Sequence, residues 1–231
     1  GNVSILLHDK AEEISCWVKR TGGFVEDVVV LPGTTGGEDD VYYLVKRTVN
    51  GSTVRYLEKW VLESECQGGT TSKQSDSHVI GTIASGAMSG LSHLEGEEVV
   101  IWVNGKDIGT ATVSGGQITG LSEDGTNACA GLAYTAQFKS AKLAYETQVG
   151  AGLTQKKIIH TLGIIMRNSH FQGLRYGRDF DNLDGLPRMM NGALTADDTV
   201  YEDYDQESFV FPGSWSSDSR LCLQAASPRP C

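Results

Sequence analysis

The amino-acid sequence predicts an all-β protein whose strands are mainly antiparallel. The chain has 28 glycines in 231 residues, and its apolar runs are short and rich in β-branched side chains. Pairs of turn-forming residues separate these runs. This composition favours sheets and tight turns over helix bundles. A chain of this length buries a sizeable core either as one large β-domain or as two modest ones.

The first predicted unit, residues 1–62, is a four-stranded antiparallel meander. Its connectors all carry turn-forming residues. The four strands are predicted at Ile14–Arg20, Phe24–Leu31, 41–48 and 53–60. A meander of this size has the shape of one β-propeller blade, whose neighbouring blades would lie before residue 1. The alternative is an independent small sheet, which needs a second layer to cover its apolar face.

The last strand of this meander carries an imperfect alternation of apolar and polar side chains. Because side chains alternate between the two faces of a strand, this pattern assigns its residues to a core face and a solvent face. Val54, Tyr56 and Leu57 are predicted to point towards the core, and Arg55, Glu58 and Lys59 to point outward.

A linker at residues 63–78, rich in Gly, Ser and Thr, leads to a predicted small β-module at residues 79–127. Its apolar run at residues 99–103 ends at Asn104-Gly105. This pair tolerates positive φ at both centres of a type I′ turn, so it predicts a hairpin. A second turn is predicted at Gly115-Gly116, and a glycine-hinged corner at residues 93–96 brings the chain into the module.

The remaining residues, 128–231, are predicted to form a β-rich segment that packs with the first unit. The segment 131–145 is strand-like at its start and ambiguous later, and 156–169 predicts a buried strand because of its many isoleucines. Residues 183–196 are predicted to be loop-like. Residues 209–211 and 221–223 are predicted to form a last strand pair.

Several motifs resemble segments of bacteriophage tail proteins. The stretch GLSHLEGEEVVIWVNG, residues 90–105, is similar to an SGLxHLEGxxVxVxxDG element that recurs in those proteins. That element resembles the first catalytic-cysteine half-domain of ubiquitin-activating enzymes, but the likeness covers only the small β-module and brings no catalytic cysteine. Further similar segments lie, in the same order, at residues 17–33, 40–48, 54–60, 177–184 and 211–222.

Together these segments span most of the chain, and they most resemble the C-terminal part of a nozzle or tubular tail protein of short-tailed phages. The resemblance implies a structural virion component, assembled in the host cytoplasm into a homo-oligomeric ring of the tail. Such a ring contacts other tail proteins and forms part of the conduit for genome ejection. The alternative is a host-surface or carbohydrate-binding module of the tail, and a more distant one is a cell-wall or polysaccharide hydrolase.

The ends of the chain carry two further expectations. The sequence does not begin with Met, so we expect a fragment of a longer chain. Related phage proteins imply another apolar strand after the final prolines, whereas this sequence stops at Cys231. No signal peptide is visible at the N-terminus.

The charge balance argues against a protein that binds nucleic acid tightly through its phosphates. The chain has 29 acidic and 19 basic side chains, a net charge of −10, with no basic stripe. Double-stranded DNA is therefore expected to pass without tight binding. No apolar run approaches the roughly 18 residues of a membrane helix, so no membrane anchor is expected.

Candidate metal and redox residues are scattered. The five cysteines are odd in number and form no C-x-x-C pair, which is typical of small apolar side chains kept reduced in a cytosol. The carboxylates between Asp179 and Asp184 suggest calcium, but their spacing is wrong for an EF-hand, where Met190 takes the place of the glutamate ligand. A solvated loop held by Asp and Asn turns is the preferred interpretation, with calcium left open. The charged residues 38–40 are predicted to be a solvated loop tip.

No motif predicts catalysis, and we expect no enzyme, no cofactor and no catalytic or metal site. The five histidines lack metal-ligand spacing, and His93 is expected to hold the module's entry corner by a hydrogen bond. Nucleophile-elbow, phosphate-loop and dinucleotide motifs are absent from the sequence. Whether the fold brings together a pair of carboxylates for glycoside cleavage is left open by the sequence. Trp17 and Trp102 are predicted to pack in cores, and Trp215, in a loop, is the one tryptophan to test as a contact residue.

Overall fold

The computed structural model describes residues 1–11, 13–33, 38–61, 72–144, 146–147, 150–190 and 192–231. Nearly all regular structure is antiparallel β-strand, which confirms the predicted all-β class. Within the described residues the helical structure is one short 3-10 turn, Ser92–Leu94. These residues include no helix long and apolar enough to cross a membrane.

The N-terminal unit is a two-stranded hairpin followed by a three-stranded sheet. The hairpin pairs β1 (Val3–Asp9) with β2 (Ile14–Arg20), and the sheet has the order β3 (Phe24–Leu31), β4 (Asp40–Val49), β5 (Ser52–Lys59). The predicted four-stranded meander is therefore wrong at its first strand. An apolar segment just before Ile14–Arg20, which the prediction overlooked, takes that strand as its partner instead.

The inward and outward faces of β5 also differ from the prediction. Strict alternation puts Val54, Tyr56 and Glu58 on the side that faces the rest of the molecule, whereas Leu57 is 69% exposed. The prediction for Leu57 and Glu58 is wrong because a buried arginine neutralises Glu58. The carboxylate is therefore accommodated where an apolar side chain was expected.

The small β-module is built from six strands in two sheets. The four-stranded sheet has the order β6–β11–β8–β9, and β7 pairs with β10. The strands are β6 (Asp76–Ile83), β7 (Ala87–Ser89), β8 (Glu98–Val103), β9 (Lys106–Thr112), β10 (Gln117–Thr119) and β11 (Gly125–Leu132). Most of the predicted linker lies outside the residues that the structure describes, and its last three residues belong to β6.

Both predicted turns of the module are confirmed. Asn104 and Gly105 have φ of 52° and 83° between β8 and β9, and Gly115 and Gly116 have φ of 62° and 73° before β10. Positive φ at both central residues is the type I′ geometry. The carboxylate of Glu95 accepts the backbone N–H groups of Gly115 and Gly116, both at 2.8 Å. The corner at residues 93–96 therefore stabilises the second turn through the Glu95 hydrogen bonds.

The C-terminal segment contains a second four-stranded sheet and a long two-stranded ribbon. The strands are β12 (Thr135–Lys139), β13 (Glu146–Thr147), β14 (Gly150–Ala151), β15 (Thr161–His170), β16 (Leu174–Asp179), β17 (Asn182–Gly185), β18 (Met189–Met190), β19 (Ala193–Leu194), β20 (Val200–Val210) and β21 (Cys222–Ala226). The sheet has the order β12–β21–β16–β17, and the ribbon pairs β15 with β20.

Several sequence predictions for this segment need correction. The predicted strand in 156–169 exists as β15, but only one face of it is covered, and Ile165 is 82% exposed. The segment 183–196, expected to be loop-like, contains the end of β17 and the pair β18–β19. The predicted pairing of 209–211 with 221–223 is wrong, because β20 pairs with β15 while β21 lies between β12 and β16.

Two cores stabilise these parts. The core of the module consists of Ile83, Met88, Leu91, Leu94, Val99, Ile101, Val103, Val113, Ile118, Ala128 and Ala130. The C-terminal core, between the ribbon and its sheet, consists of Leu174, Tyr176, Leu186, Tyr204, Phe209 and Phe211. Trp102 lies on the other face of β8, fully buried, with its ring 5.4 Å edge-on from that of His170. This contact joins the module to the ribbon.

Candidate functional site

The predicted metal and catalytic candidates do not converge. His78 and His93 contact backbone carbonyls through Nδ1 and Nε2, at 3.0 and 2.8 Å from the oxygens of Ser75 and Ser77. The hydrogen bond expected of His93 at the module's corner is therefore confirmed. Among the described residues, no group of three or more His, Cys, Asp or Glu side chains could hold a metal ion.

The acidic segment that begins at Asp179 forms a tight turn. Asp179 Oδ1 accepts the backbone N–H groups of Asp181 and Asn182 at 3.1 and 2.8 Å, and the Asn182 side-chain amide at 2.7 Å. These bonds, led by the one from the Asn182 side chain, lower the pKa of Asp179 despite an opposing effect of burial. The predicted turn held by Asp and Asn is confirmed.

Asp40, predicted to lie in a charged loop tip, is instead the first residue of β4. Its carboxylate lies 2.8 Å from Lys59 Nζ, so the charge is paired within the sheet. That prediction was wrong because the strand begins at the acidic residue itself.

Among the described residues, two polar clefts contain ion pairs formed between their own side chains. One, of about 330 Å³, is lined by Lys139, Arg178, Asp179, Asp218 and Arg220 together with Ser214, Ser216 and Ser219. In it Arg178 pairs with Asp179 at 3.3 Å and Arg220 with Asp218 at 2.8 Å.

The second cleft, of about 440 Å³, lies where the module meets the ribbon. Arg229 Nε is 3.0 Å from Asp107 Oδ2, and Lys106 pairs with Glu123. His170 beside it is buried, and its Nε2 lies 3.0 Å from the Asp197 carbonyl. Burial lowers the pKa of His170, with a smaller opposing effect from that hydrogen bond. A neutral ring with both nitrogens bonded fits a structural role.

A buried ionic cluster joins the N-terminal sheet to the module. Arg47, with 7% of its side chain exposed, bonds Glu58 through Nε at 2.6 Å and Nη2 at 2.8 Å. It also lies 3.5 Å from Asp76 at the start of β6, and Arg20 contacts Asp76 at 3.0 Å. Burial alone would lower the pKa of Arg47, but the Glu58 and Asp76 carboxylates raise it overall. Four charges from three sheets are thereby held as one unit.

The described cysteines show no disulfide. Cys129 and Cys222 are buried, while Cys16 and Cys231 are exposed, and Cys66 lies outside the described residues. Burial raises the pKa of the Cys222 thiol, which keeps it protonated and poorly reactive.

The burial of the tryptophans differs from the prediction. Trp102 is in a core, as predicted, but Trp17 is 70% exposed, so the core assignment for Trp17 is wrong. It lies on a projecting hairpin whose two strands pair only with each other among the described residues. Trp215 is 67% exposed in a loop whose neighbouring serines line the first cleft.

The β1–β2 hairpin, called the arm below, has one strongly apolar face. Residues paired across antiparallel strands share a face. The pairs Ile5–Val18 and Leu7–Cys16 share theirs with Val3 and Ile14, and the charged partners of the last two, Arg20 and Asp9, lie at the two ends of the same face. We call the six apolar side chains the arm face. Leu7, Ile14 and Val18 remain 53%, 45% and 50% exposed. Contiguous exposed apolar surface of this kind marks a contact site for another molecule.

A second exposed apolar segment lies in strand β3, at the edge of its sheet. Residues 28–31, Val-Val-Val-Leu, are each about half exposed, between 46% and 54%. We call residues 28–31 the β3 edge. The opposite edge strand, β5, carries Arg55, Glu58 and Lys59, the charged residues that usually protect a sheet edge from pairing. Residues 28–31 themselves carry no charge, but Asp27 directly before them accepts the Val28 N–H at 2.8 Å and so occupies one backbone donor of this strand.

No protein-family model matches the chain, and no curated protein sequence is significantly similar to it. The features of the described residues that bear on function are the arm face, the β3 edge and the two ion-paired clefts.

Proposed function

We propose that this protein is a structural component of a phage tail, a nozzle or tubular protein that assembles into a ring around the path of the genome. The resemblance of its motifs to such tail proteins suggests the class. The observation that supports the proposal is the exposure of apolar side chains on both the arm face and the β3 edge. Surfaces of this kind fit protein–protein contact, and a tail wall needs such contacts and no catalysis.

The polar clefts support the same proposal by their charge pairing. Their arginines are each within ion-pair distance of an aspartate. A substrate would have to compete with these internal partners. The acidic balance of the whole chain, −10, also suits a wall that repels the DNA passing it.

Negative-stain electron microscopy of the purified protein tests the proposal directly. We expect ring-shaped particles, and immunogold labelling of intact virions should place the protein in the tail. Isolated monomers at every concentration, together with virions that bear no label, would contradict the proposed function.

A second candidate, a carbohydrate-binding module of the tail, is favoured by Trp215. This exposed indole stands beside a cleft that contains serine hydroxyls and charged side chains, a combination suited to sugars. Binding to host envelope polysaccharide should then fall on Trp215→Ala and persist on Trp17→Ala, which removes an equally exposed tryptophan elsewhere. Equal loss in both variants, or no binding by the native protein, would exclude this candidate.

A further inference from the structure

We infer that the small β-module is a duplicated unit, and that corresponding ends of its two halves hold the two flanking parts of the chain. The first half is residues 76–103 and the second half is residues 106–132, joined at Asn104-Gly105. The module then acts as a connector with one attachment site on each half. This inference goes beyond the proposed function and does not depend on it.

The two halves share a sequence pattern. Residues 83–92 read IASGAMSGLS, and residues 113–122 read VSGGQITGLS. Aligned without a gap, both segments have glycine at the fourth position and end in Gly-Leu-Ser. The apolar residues at their first and sixth positions all belong to the core of the module: Ile83, Met88, Val113 and Ile118. The segments therefore correspond in burial as well as in sequence.

The backbone conformation repeats with the sequence. Ser85 and Gly86 have φ of 52° and 69° in the first half, and Gly115 and Gly116 have φ of 62° and 73° in the second. Two successive positive φ values are rare where one of the residues is not glycine. Each of these turns is closed by an isolated bridge, Ala84–Ala87 in the first half and Ser114–Gln117 in the second.

Reciprocal backbone contacts relate the halves by an approximate two-fold axis. The Leu91 N–H donates to the Gly116 carbonyl, and the corresponding Leu121 N–H donates to the Gly86 carbonyl, both at 3.0 Å. Strands β7 and β10 pair antiparallel, with corresponding residues opposite each other at their centres. The sheet order β6–β11–β8–β9 reads the same after the halves are exchanged and the order is reversed.

Carboxylates stabilise the two turns in the same reciprocal way. Glu95 of the first half accepts two backbone N–H groups from the turn of the second half. Asp124 of the second half accepts those of Ser85 and Gly86 at 3.0 and 2.8 Å. Each half therefore completes the turn of the other, as expected of two copies of one unit related by a two-fold axis.

The corner after Gly-Leu-Ser in the first half, together with the start of β6, holds the N-terminal sheet. In this corner the His93 carbonyl accepts the Tyr56 hydroxyl, and Glu97 accepts the Asn50 N–H at 2.8 Å. Asp76, the first residue of β6, lies 3.0 and 3.5 Å from the two arginines of the buried ionic cluster.

The corresponding end of the second half holds the C-terminal segment instead. Asp107, at the start of β9, lies 3.0 Å from Arg229 Nε, and Glu123 in the corner lines the cleft that also contains His170. This corner, residues 123–124, is shorter than residues 93–97 of the first half. The same end of each half thus contacts a different flanking part of the chain.

Segment exchange in the full-length protein tests the duplication. One chimera carries the sequence of residues 83–92 in place of 113–122, and a reciprocal chimera carries that of 113–122 in place of 83–92. The matched control carries the sequence of residues 84–93 in place of 113–122. A shift of one residue moves the buried side chains of a strand to its exposed face. Circular dichroism and thermal melting measure folding.

We expect both chimeras to melt within about 6 °C of the native protein, because the aligned segments supply core side chains of similar size. The shifted control should melt at a clearly lower temperature or fail to fold. Native-like melting of either chimera supports the duplication. Two chimeras as damaged as the control would overturn it.

Amide hydrogen exchange tests the two attachment sites separately. Asp76→Asn weakens the ion pairs to the N-terminal sheet, and Asp107→Asn weakens the ion pair to Arg229. Asp203→Asn is the control, because it removes an ion pair whose two side chains are 75% and 76% exposed. Asparagine keeps the size of each side chain.

We expect exchange about tenfold faster in β4 for Asp76→Asn and in β15 for Asp107→Asn, with the other strand unchanged in each case. The control should leave both strands unchanged. Faster exchange of the same strand in both variants, or of neither strand, would contradict separate attachment sites on the two halves.

Discussion

Replacing Arg47 with Met should be among the most destabilising single changes on the N-terminal sheet. The substitution removes two hydrogen bonds to Glu58, at 2.6 and 2.8 Å, and leaves the carboxylates of Glu58 and Asp76 mostly buried, 15% and 23% exposed. Breaking a buried ion pair on one side typically costs about 3–5 kcal/mol. Arg20 stays within 3.0 Å of Asp76 and 3.9 Å of Glu58, so we expect about 3 kcal/mol, the lower end.

Thermal and urea unfolding measure this loss. For a chain of this size, about 3 kcal/mol corresponds to a melting temperature lower by about 6–12 °C. Arg55→Met is the matched control, because Arg55 forms an equivalent two-bonded pair with Glu26 at 2.6 and 3.1 Å but is 57% exposed. Exposed pairs contribute little, so its loss should be clearly smaller. The double variant Arg47→Met/Glu58→Leu should recover part of the loss. If Arg47→Met is no more harmful than Arg55→Met, the buried cluster does not hold the sheet and module together.

Three further outcomes are expected. Gly105→Val should reduce the free energy of unfolding by about 1–3 kcal/mol, because a β-branched residue is strained at φ 83°; a larger loss for His93→Ala, which removes one hydrogen bond, would contradict this. Because burial holds the pKa of His170 below its unfolded value of about 6.5, unfolded chains bind the proton more readily, and stability should be full above about pH 6.5 and fall below it. The urea midpoint should therefore drop more for the native protein than for His170→Gln between about pH 7.5 and 5.5, and equal drops would exclude His170 as the cause. Fluorescence anisotropy with duplex DNA at about 0.15 M salt should show no binding. Micromolar affinity that weakens steeply with salt would contradict the expectation that DNA passes the protein without tight binding.

Local signals predicted the turns well. Asn104-Gly105 and Gly115-Gly116 need positive φ at two successive positions, and few residue pairs accept that conformation. The strands β3, β4 and β5 were also recognisable, because their β-branched and aromatic runs are bounded by turn residues. Trp102 was placed correctly since it lies within a continuous apolar run.

Strand partners could not be predicted in the same way. Ile14–Arg20 pairs with Val3–Asp9, and β21 pairs with β12 and β16. The composition of a strand does not indicate which other strand will pair with it. Burial of Glu58 depends on Arg47, eleven residues away, so hydrophobic alternation alone assigned the wrong face. Exposure of Trp17 depends on how far the arm projects, which is a tertiary property. The candidate contact surface was therefore invisible in the sequence pattern.

The pairing of β12 with β21 has a consequence for how the protein is synthesised. Gln137 and Gln224, hydrogen-bonded across these strands, are 87 residues apart in the chain. A ribosome adding about 5–20 residues per second needs about 4–17 s to make the intervening segment. During that interval β12 has left or is leaving the exit tunnel without the strand that completes its sheet. Nascent chains are thus exposed to misassembly in the C-terminal segment for longer than in the module, whose strands all lie within residues 76–132.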